Sequence, residues 1–307
     1  MRQKKKVILL AGPTASGKSK LAIKLAKHFR GEIINADSMQ VYKEISILTS
    51  KPNTQDIKTV KHNLYGFCSV KNNFSTGHWL KLVIKKIEKL WQKKRIPIIV
   101  GGTGLYFKAL TDGLVEIPNI LSKDRKKIRD LHKRIGQKSF FSQLIKIDPI
   151  AKKFISPHDS QRSMRAYEVK KFTGKSLFEF IKKTKSKFKK NDFKKVFINF
   201  PRELLHKQIE KRVDRMFKEG AIDEVIKFNK MKVKKELSSN KIIGIKEIND
   251  YLKKKIALME AKRLIIQKTR QYAKRQFTWS RGHMKSWEMI YSPNINDLFN
   301  KVINKIS

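Results

Sequence analysis

Five apolar residues, Val7 to Ala11, run without a polar interruption and stop at a glycine. A run that short, with β-branched residues at its start, predicts a strand covered on both faces. From Ser19 to Phe29 the apolar spacing changes to four. Leu21, Leu25 and Phe29 share one face, which predicts a helix. "EIINADS" predicts a second strand ending at Asp37, and Leu80, Ile84, Ile87 and Trp91 form the stripe of a helix between Thr76 and Arg95. "IPIIVGGTG" gives a third strand over Pro97 to Gly104 that runs into a glycine turn, and "LYFKAL" opens the next helix. Strand, loop and helix repeated with short links predict the α/β class, with a parallel sheet wound in βαβ units.

The pattern changes near Asn119. From there to about Asn191 no strand pattern recurs, and segments such as "DSQRSMRAYEVKKF" are charged and helical. This predicts a helical insertion over 119–192, between a first core segment, 1–118, and a second, 193–307. "KKVFINF" restores a strand. Helices are expected over Glu203–Lys218, Ala221–Lys230 and Glu260–Ser280, then a strand in "SWEMIYS" and a helix from Asp297 to Ile306. There is no internal repeat. Lys182 to Lys195, the nearest approach to low complexity, reads as a solvated, mobile connection.

With 307 residues, 40% of them hydrophobic, the chain can bury a substantial core. Its net charge of +46 attracts polyanions, nucleic acid foremost. Codon bias in an AT-rich genome would also enrich Lys, Ile and Asn, but it would scatter Lys and would not place Arg at special positions. Arginines therefore weigh more here than lysine runs. Cys68 is the single cysteine, which excludes an internal disulfide and a cysteine-based zinc site and fits a reducing cytoplasm. The start, "MRQKKKVILLAGP", is basic then apolar, yet its apolar part is too short for a signal peptide and leads into glycine. No stretch approaches membrane-spanning length. The expectation is a cytoplasmic monomer without a membrane partner.

The candidate chemistry begins at "GPTASGKS". Gly12, Gly17, Lys18 and Ser19 meet the phosphate-loop spacing, with a strand before and a helix after. Such a loop turns backbone N–H groups toward phosphate oxygens and points the positive end of a helix at them. Lys18 adds a cation, and the Ser19 hydroxyl can hold Mg²⁺. The motif leaves open which phosphorylated ligand is held. Asp37 ends the neighbouring strand, so it faces the same crevice beyond the carboxyl ends of the strands. It suits a general base or a hydroxyl contact, or else it caps a helix begun by "SMQVY". In "RELLHKQIEKRVDRMF", Arg212 falls within the apolar stripe of Leu205, Ile209 and Met216. A guanidinium there requires an anion, either a carboxylate such as Asp37 or a ligand phosphate.

Two basic helical faces complete the set. Asp159 or Ser160 caps a helix on which Gln161 and Arg165 stand four apart, with Arg162 beside them. "KTRQYAKRQFTW" places Arg270 and Lys274 on one face, interleaved with Tyr272, Phe277 and Trp279. Each face fits RNA or an ordinary solvated helix equally well.

Assembled in order, these segments resemble the bacterial tRNA dimethylallyltransferases, also called tRNA isopentenyltransferases. The resemblance rests on "GPTASGKS", "DSMQVY" from Asp37, "TSKP" from Thr49 and "GGTGLYFKAL" from Gly101. It continues through "SPHDSQRSMRAYEV" from Ser156, "RELLHKQIEKR" from Arg202 and "TRQYAKRQFTW" from Thr269. It implies a P-loop NTPase-like parallel sheet that carries no kinase chemistry. The implied reaction moves a dimethylallyl group from dimethylallyl diphosphate to N6 of adenosine 37 in tRNAs reading codons that begin with U. Mg²⁺ is the implied cofactor, and the anticodon stem-loop of tRNA the implied partner. By the same resemblance Gly12, Pro13, Thr14, Ala15, Ser16, Gly17, Lys18 and Ser19 hold the diphosphate, with Ser19 on the metal. Asp37 resembles the general base, and Thr14 and Arg212 serve the reacting centre. Asp37, Ser38, Met39, Gln40, Thr103, Arg125, Gln161, Arg162, Ser163, Met164 and Arg165 match positions that contact tRNA. The chain departs from the family at Tyr65 and Gly66, where an aliphatic residue and Asp are common. Leu48 stands in place of a glycine, Gln208 in place of an arginine, and no tyrosine follows Gly244. The zinc finger of some eukaryotic members is absent. A small-molecule kinase and an RNA-binding protein without turnover are the rival readings.

Overall fold

The computed structural model describes residues 5–118 and 120–306. In chain order the elements are β1 (Val7–Ala11), α1 (Lys18–His28), β2 (Glu32–Asn35), α2 (Thr54–Thr59), β3 (His62–Asn63), α3 (Thr76–Gln92), β4 (Pro97–Gly101) and α4 (Gly104–Asp112). Then come α5 (Ser122–Ile147), α6 (Ser160–Thr173), α7 (Leu177–Lys182), β5 (Phe193–Ile198), α8 (Arg202–Lys218) and α9 (Ala221–Lys230). The chain closes with α10 (Ile245–Leu252), α11 (Leu258–His283), β6 (Glu288–Ile290) and α12 (Ile295–Ile306). The chain divides into two units, one of residues 1–111 with 188–307 and the other Asp112–Lys187.

In the first unit all six strands are parallel, in the order β3-β2-β4-β1-β5-β6. Every residue of β1 and β4 is buried, as a strand covered on both faces requires. Alternation sorts the side chains. Val7 and Leu9 enter a core built with Trp79, Val83 and Ile87 of α3 and Phe107 of α4. Ile8 and Leu10 enter the opposite core, with Leu21 and Leu25 of α1 and Val302 of α12. A third cluster joins α8, α9, α10 and α11 through Ile209, Val213, Val225, Ile248 and Ile265. The second unit is helical. Leu144, Ala151, Ile155 and Ala166 form its buried cluster, and Gly136 breaks α5 at φ +73°.

Several expectations change. β2 stops at Asn35, so Asp37 lies two residues beyond the strand end rather than on it, and β4 stands between β2 and β1, so the two are not neighbouring strands. The helical unit spans Asp112–Lys187 rather than 119–192, and Asn119 lies outside the described residues. The segment read as a mobile connection is tied down. Phe188 packs edge-on against Trp91 and Phe193, with ring centroids 5.3 and 5.9 Å apart, and β5 begins within it. Among the described residues no helix is long and apolar enough to cross a membrane.

Candidate active site

The loop after β1 folds tightly. Ala15 (φ +63°) and Gly17 (φ +79°) both take left-handed backbone, and Gly17 delivers the chain into α1 at Lys18. Successive amides in such a turn form an anion nest at a helix N-terminus. Lys18 Nζ donates to the Pro13 carbonyl at 2.8 Å, folding the ammonium back over the loop. Burial pulls the Lys18 pKa down to about 8; the Asp37 carboxylate opposes the shift and Arg212 adds to it. The Ser16 hydroxyl is buried without a hydrogen-bond partner among the described residues, and Ser19 is exposed at the cavity.

Asp37 is held from both sides. The Asn35 amide accepts from Asp37 N at 2.8 Å and donates to Asp37 O at 2.9 Å. Asp37 Oδ1 accepts from Met39 N at 2.9 Å, and no helix begins at residues 38–41. The carboxylate thus closes a local turn and caps no helix. Its Oδ2 has no hydrogen-bond partner among the described residues. Three tyrosines register its charge: burial first, and then Asp37, push the hydroxyls of Tyr65, Tyr106 and Tyr272 well above the usual tyrosine pKa.

α8 buries Leu205, Ile209, Val213 and Met216. Arg212, beside that stripe, turns inward as its position predicts. Its Nη1 donates to Thr14 Oγ1 at 2.6 Å, while Nε is shielded from solvent and has no partner among the described residues. Among the described residues no carboxylate stands within ion-pairing distance, so the alternative of a salt bridge with Asp37 is not realised. Burial lowers the Arg212 pKa to about 10, against the pull of Asp37 and with a smaller contribution from Arg215. Thr14–Ser19, Asp37, Gln40, Tyr65, Gln208 and Arg212 line one cavity of about 600 Å³. Lining it are cations without a carboxylate partner among the described residues, an open carboxylate oxygen and the start of α1, the makings of a site for a charged phosphate ester.

A second cavity of about 300 Å³ is more aromatic. Gly12, Ser38, Gly102, Thr103, Tyr272, Arg275, Gln276 and Trp279 line it. Thr103 Oγ1 accepts from Ser38 N at 3.0 Å, tying the turn after β4 to the chain just past Asp37. Glycine is obligatory in that turn. A Cβ on Gly101 would fall 2.1 Å from the Ala36 carbonyl oxygen, and one on Gly104 2.2 Å from the Trp279 ring. Trp279 in turn stacks on His283, centroids 4.4 Å apart.

The remaining expected residues divide by role. Arg125 and Gln161–Arg165 belong to the helical unit. Asp159 caps α6 by accepting from Arg162 N at 3.0 Å, as expected. Gln161 and Arg162 are exposed and Met164 is half-buried, but Ser163 is a core position. Its hydroxyl donates to Asp159 O at 2.7 Å and accepts from the Gln137 amide at 3.2 Å. Arg165 pairs with Glu168 at 3.0 Å, and Arg125 Nε is buried without a partner among the described residues. On α11, Arg270 pairs with Glu210 while Lys274 is exposed, so only one of the two cations read as a face is free. Sequence reasoning passed over Gln276. The signal was present: Ala273, Gln276 and Ser280 share the buried stripe of α11, an amide placed as anomalously as Arg212.

Residues 40–283 match the family model described as IPP transferase. The chain belongs to the IPP transferase family. It is 54% identical over 287 residues to the tRNA dimethylallyltransferase of Pelagibacter ubique, covering 94% of this chain and 92% of that one. With the enzyme of the same name from Rickettsia felis it shares 41% identity, over 99% and 98% of the two chains. Among solved structures, the tRNA isopentenylpyrophosphate transferase of Bacillus halodurans superposes with a TM-score of 0.70 at 31% identity, over 99% of this chain and 97% of that one. A eukaryotic dimethylallyltransferase acting on tRNA gives 0.80 at 29% identity, over 95% and 75%. The family model begins at Gln40, so it does not include the phosphate loop or Asp37.

The departures from the family pattern have local accommodations. Leu48 fills the space beside Gly244, where a Cβ would come within 2.7 Å of its Cδ2. Gly66 faces Lys51, whose ammonium donates to the Tyr42 and Lys43 carbonyls at 2.7 and 2.9 Å. Gln208 lines the larger cavity.

Proposed function

We propose that this IPP transferase moves the dimethylallyl group of dimethylallyl diphosphate to N6 of adenosine 37 in tRNAs reading codons that begin with U. The observation that carries the reading is the single cavity where the phosphate loop, the open Asp37 oxygen and Arg212 converge. The diphosphate lies in the Gly12–Ser19 loop at the start of α1, against Lys18, with Arg212 on its flank. The purine enters from the aromatic side, past Ser38, Thr103 and Tyr272. The N6 lone pair attacks the allylic carbon, the carbon–oxygen bond breaks, and its electron pair leaves with the diphosphate. Asp37 Oδ2 accepts the N6 proton as the new bond forms. The amine is a weak nucleophile because the ring delocalises its lone pair, so both base and leaving-group stabilisation are required. An adenosine in a stacked loop cannot reach Asp37, so the base is extruded from its stack.

Mg²⁺ fits the same site. The Ser19 hydroxyl opens onto the cavity at the start of α1, an oxygen donor of the kind Mg²⁺ takes alongside substrate phosphates. When bound there it supplies a Lewis acid that shares the charge of the departing diphosphate. Lys18 is the one cation within the Gly12–Ser19 loop, so loop and metal together would hold that charge better than the loop alone.

Unmodified anticodon stem-loop RNA, labelled dimethylallyl diphosphate and Mg²⁺ make the test. Label on adenosine at the N6 position is the expected result. Transfer of phosphate from ATP to a small acceptor would instead support the kinase, and RNA binding with no product from any donor would support the binding protein. Arg165→Ala is expected to weaken RNA binding rather than catalysis. If it removes one phosphate contact, the log–log salt slope of binding falls by about one. The kcat at saturating RNA stays near that of the unaltered enzyme.

A further inference from the structure

The proposed reaction needs two partners brought together by different pieces of backbone. The leaving diphosphate sits on the loop after β1. The base, Asp37, is set by the chain after β2 and, through Ser38 and Thr103, by the turn after β4. β1 and β4 are neighbours up to Ala11 and Gly101, but their hydrogen-bonded register ends there. Beyond that point one side chain joins the two loops. Gln276 Oε1 accepts from Thr14 N at 2.8 Å, and its Nε2 donates to Gly102 O at 3.0 Å. No other hydrogen bond among the described residues spans that gap.

The neighbours are shaped for this amide. Gln276 is buried, and a Cβ on Gly102 would lie 2.0 Å from its Nε2, so only glycine lets it approach. The amide also has one workable orientation, since it faces an N–H on one side and a C=O on the other. Thr14 is gripped from two helices, its hydroxyl by Arg212 of α8 and its amide by Gln276 of α11. Resting on the function proposed above, we infer that Gln276 is a positioning residue that sets the spacing between the diphosphate cradle and the Asp37 turn. It touches no reacting atom in this account. It fixes where the allylic carbon stands relative to the purine nitrogen. Reacting atoms must approach to about 3–3.5 Å, and a misplacement of roughly 1 Å can cost about 10²-fold in rate.

The test uses the full-length protein with two variants. Gln276→Met keeps the size and removes both bonds. Gln276→Glu keeps an acceptor for Thr14 N–H and loses the donor to Gly102 O. Four quantities are read: kcat with saturating RNA and donor, affinity for inorganic diphosphate, thermal midpoint, and amide exchange across residues 11–17. For Gln276→Met the expected result is a kcat loss of about 10²-fold and faster exchange at Thr14, with diphosphate affinity and thermal midpoint near those of the unaltered protein. Gln276→Glu is expected to retain protection at Thr14 yet still lose turnover. Unchanged kcat in a folded variant overturns the inference. So does a loss of kcat that only tracks collapse of the midpoint and of diphosphate binding in both variants. If the unaltered protein prenylates no RNA, the proposed function has failed. The exchange measurement then still decides whether Gln276 holds the loop, and unchanged exchange at Thr14 rejects that too.

Discussion

Asp37→Asn is expected to lower the rate of dimethylallyl transfer by about 10²–10⁴-fold, the usual effect of losing a positioned general base. The substitution isolates the proton-transfer role because it preserves the shape of the turn. An asparagine Oδ1 still accepts from Met39 N, and the Asn35 amide still holds the Asp37 main chain. What disappears is the free carboxylate oxygen that faces the cavity. Donor and RNA affinities should therefore stay within a few-fold of the unaltered enzyme while single-turnover chemistry slows. A fall in affinity that accounts for the whole effect would make Asp37 a binding group only.

Arg212→Ala is expected to reduce kcat by about 10²–10³-fold, comparable to removing a donor aimed at developing negative charge. Among the described residues Arg212 has no carboxylate partner, and its shielded Nε makes no hydrogen bond. Its charge is left for the ligand, and it matters most when the diphosphate departs. Arg212→Ala also removes a positive charge from the cavity, so weaker diphosphate binding should accompany the slower chemistry. Arg212→Lys should recover only part of the rate, because an ammonium cannot hold Thr14 and an anion in the same planar geometry. A variant with alanine at this position that turns over normally would place the diphosphate elsewhere.

Much of this arrangement is legible in the chain itself. The short apolar run of β1 and the glycine spacing after it mark the loop, and Arg212 reveals its inward direction by its place beside an apolar stripe. Other parts are hidden for physical reasons. β3 is a two-residue strand, His62–Asn63, too short to show any period. α2 is six residues with no buried side chain, held by the reciprocal cap of Asn53 and Asp56 rather than by a hydrophobic face. The link made by Gln276 depends on residues 262 positions apart, so no local pattern contains it. The basic charge is divided in a way that composition cannot reveal. Arg270 is spent on Glu210, Arg165 is shared with Glu168, and Lys18 and Arg212 remain free to meet an anion.

The central idea is that a phosphate loop here grips a leaving group instead of activating a nucleoside triphosphate. The most direct measurement compares diphosphate released with adenosine modified in one reaction lacking any nucleoside triphosphate. The account predicts equal amounts of the two, rising together and stopping together when donor is exhausted. Modification that requires ATP, or diphosphate release that continues without modified adenosine, would contradict it.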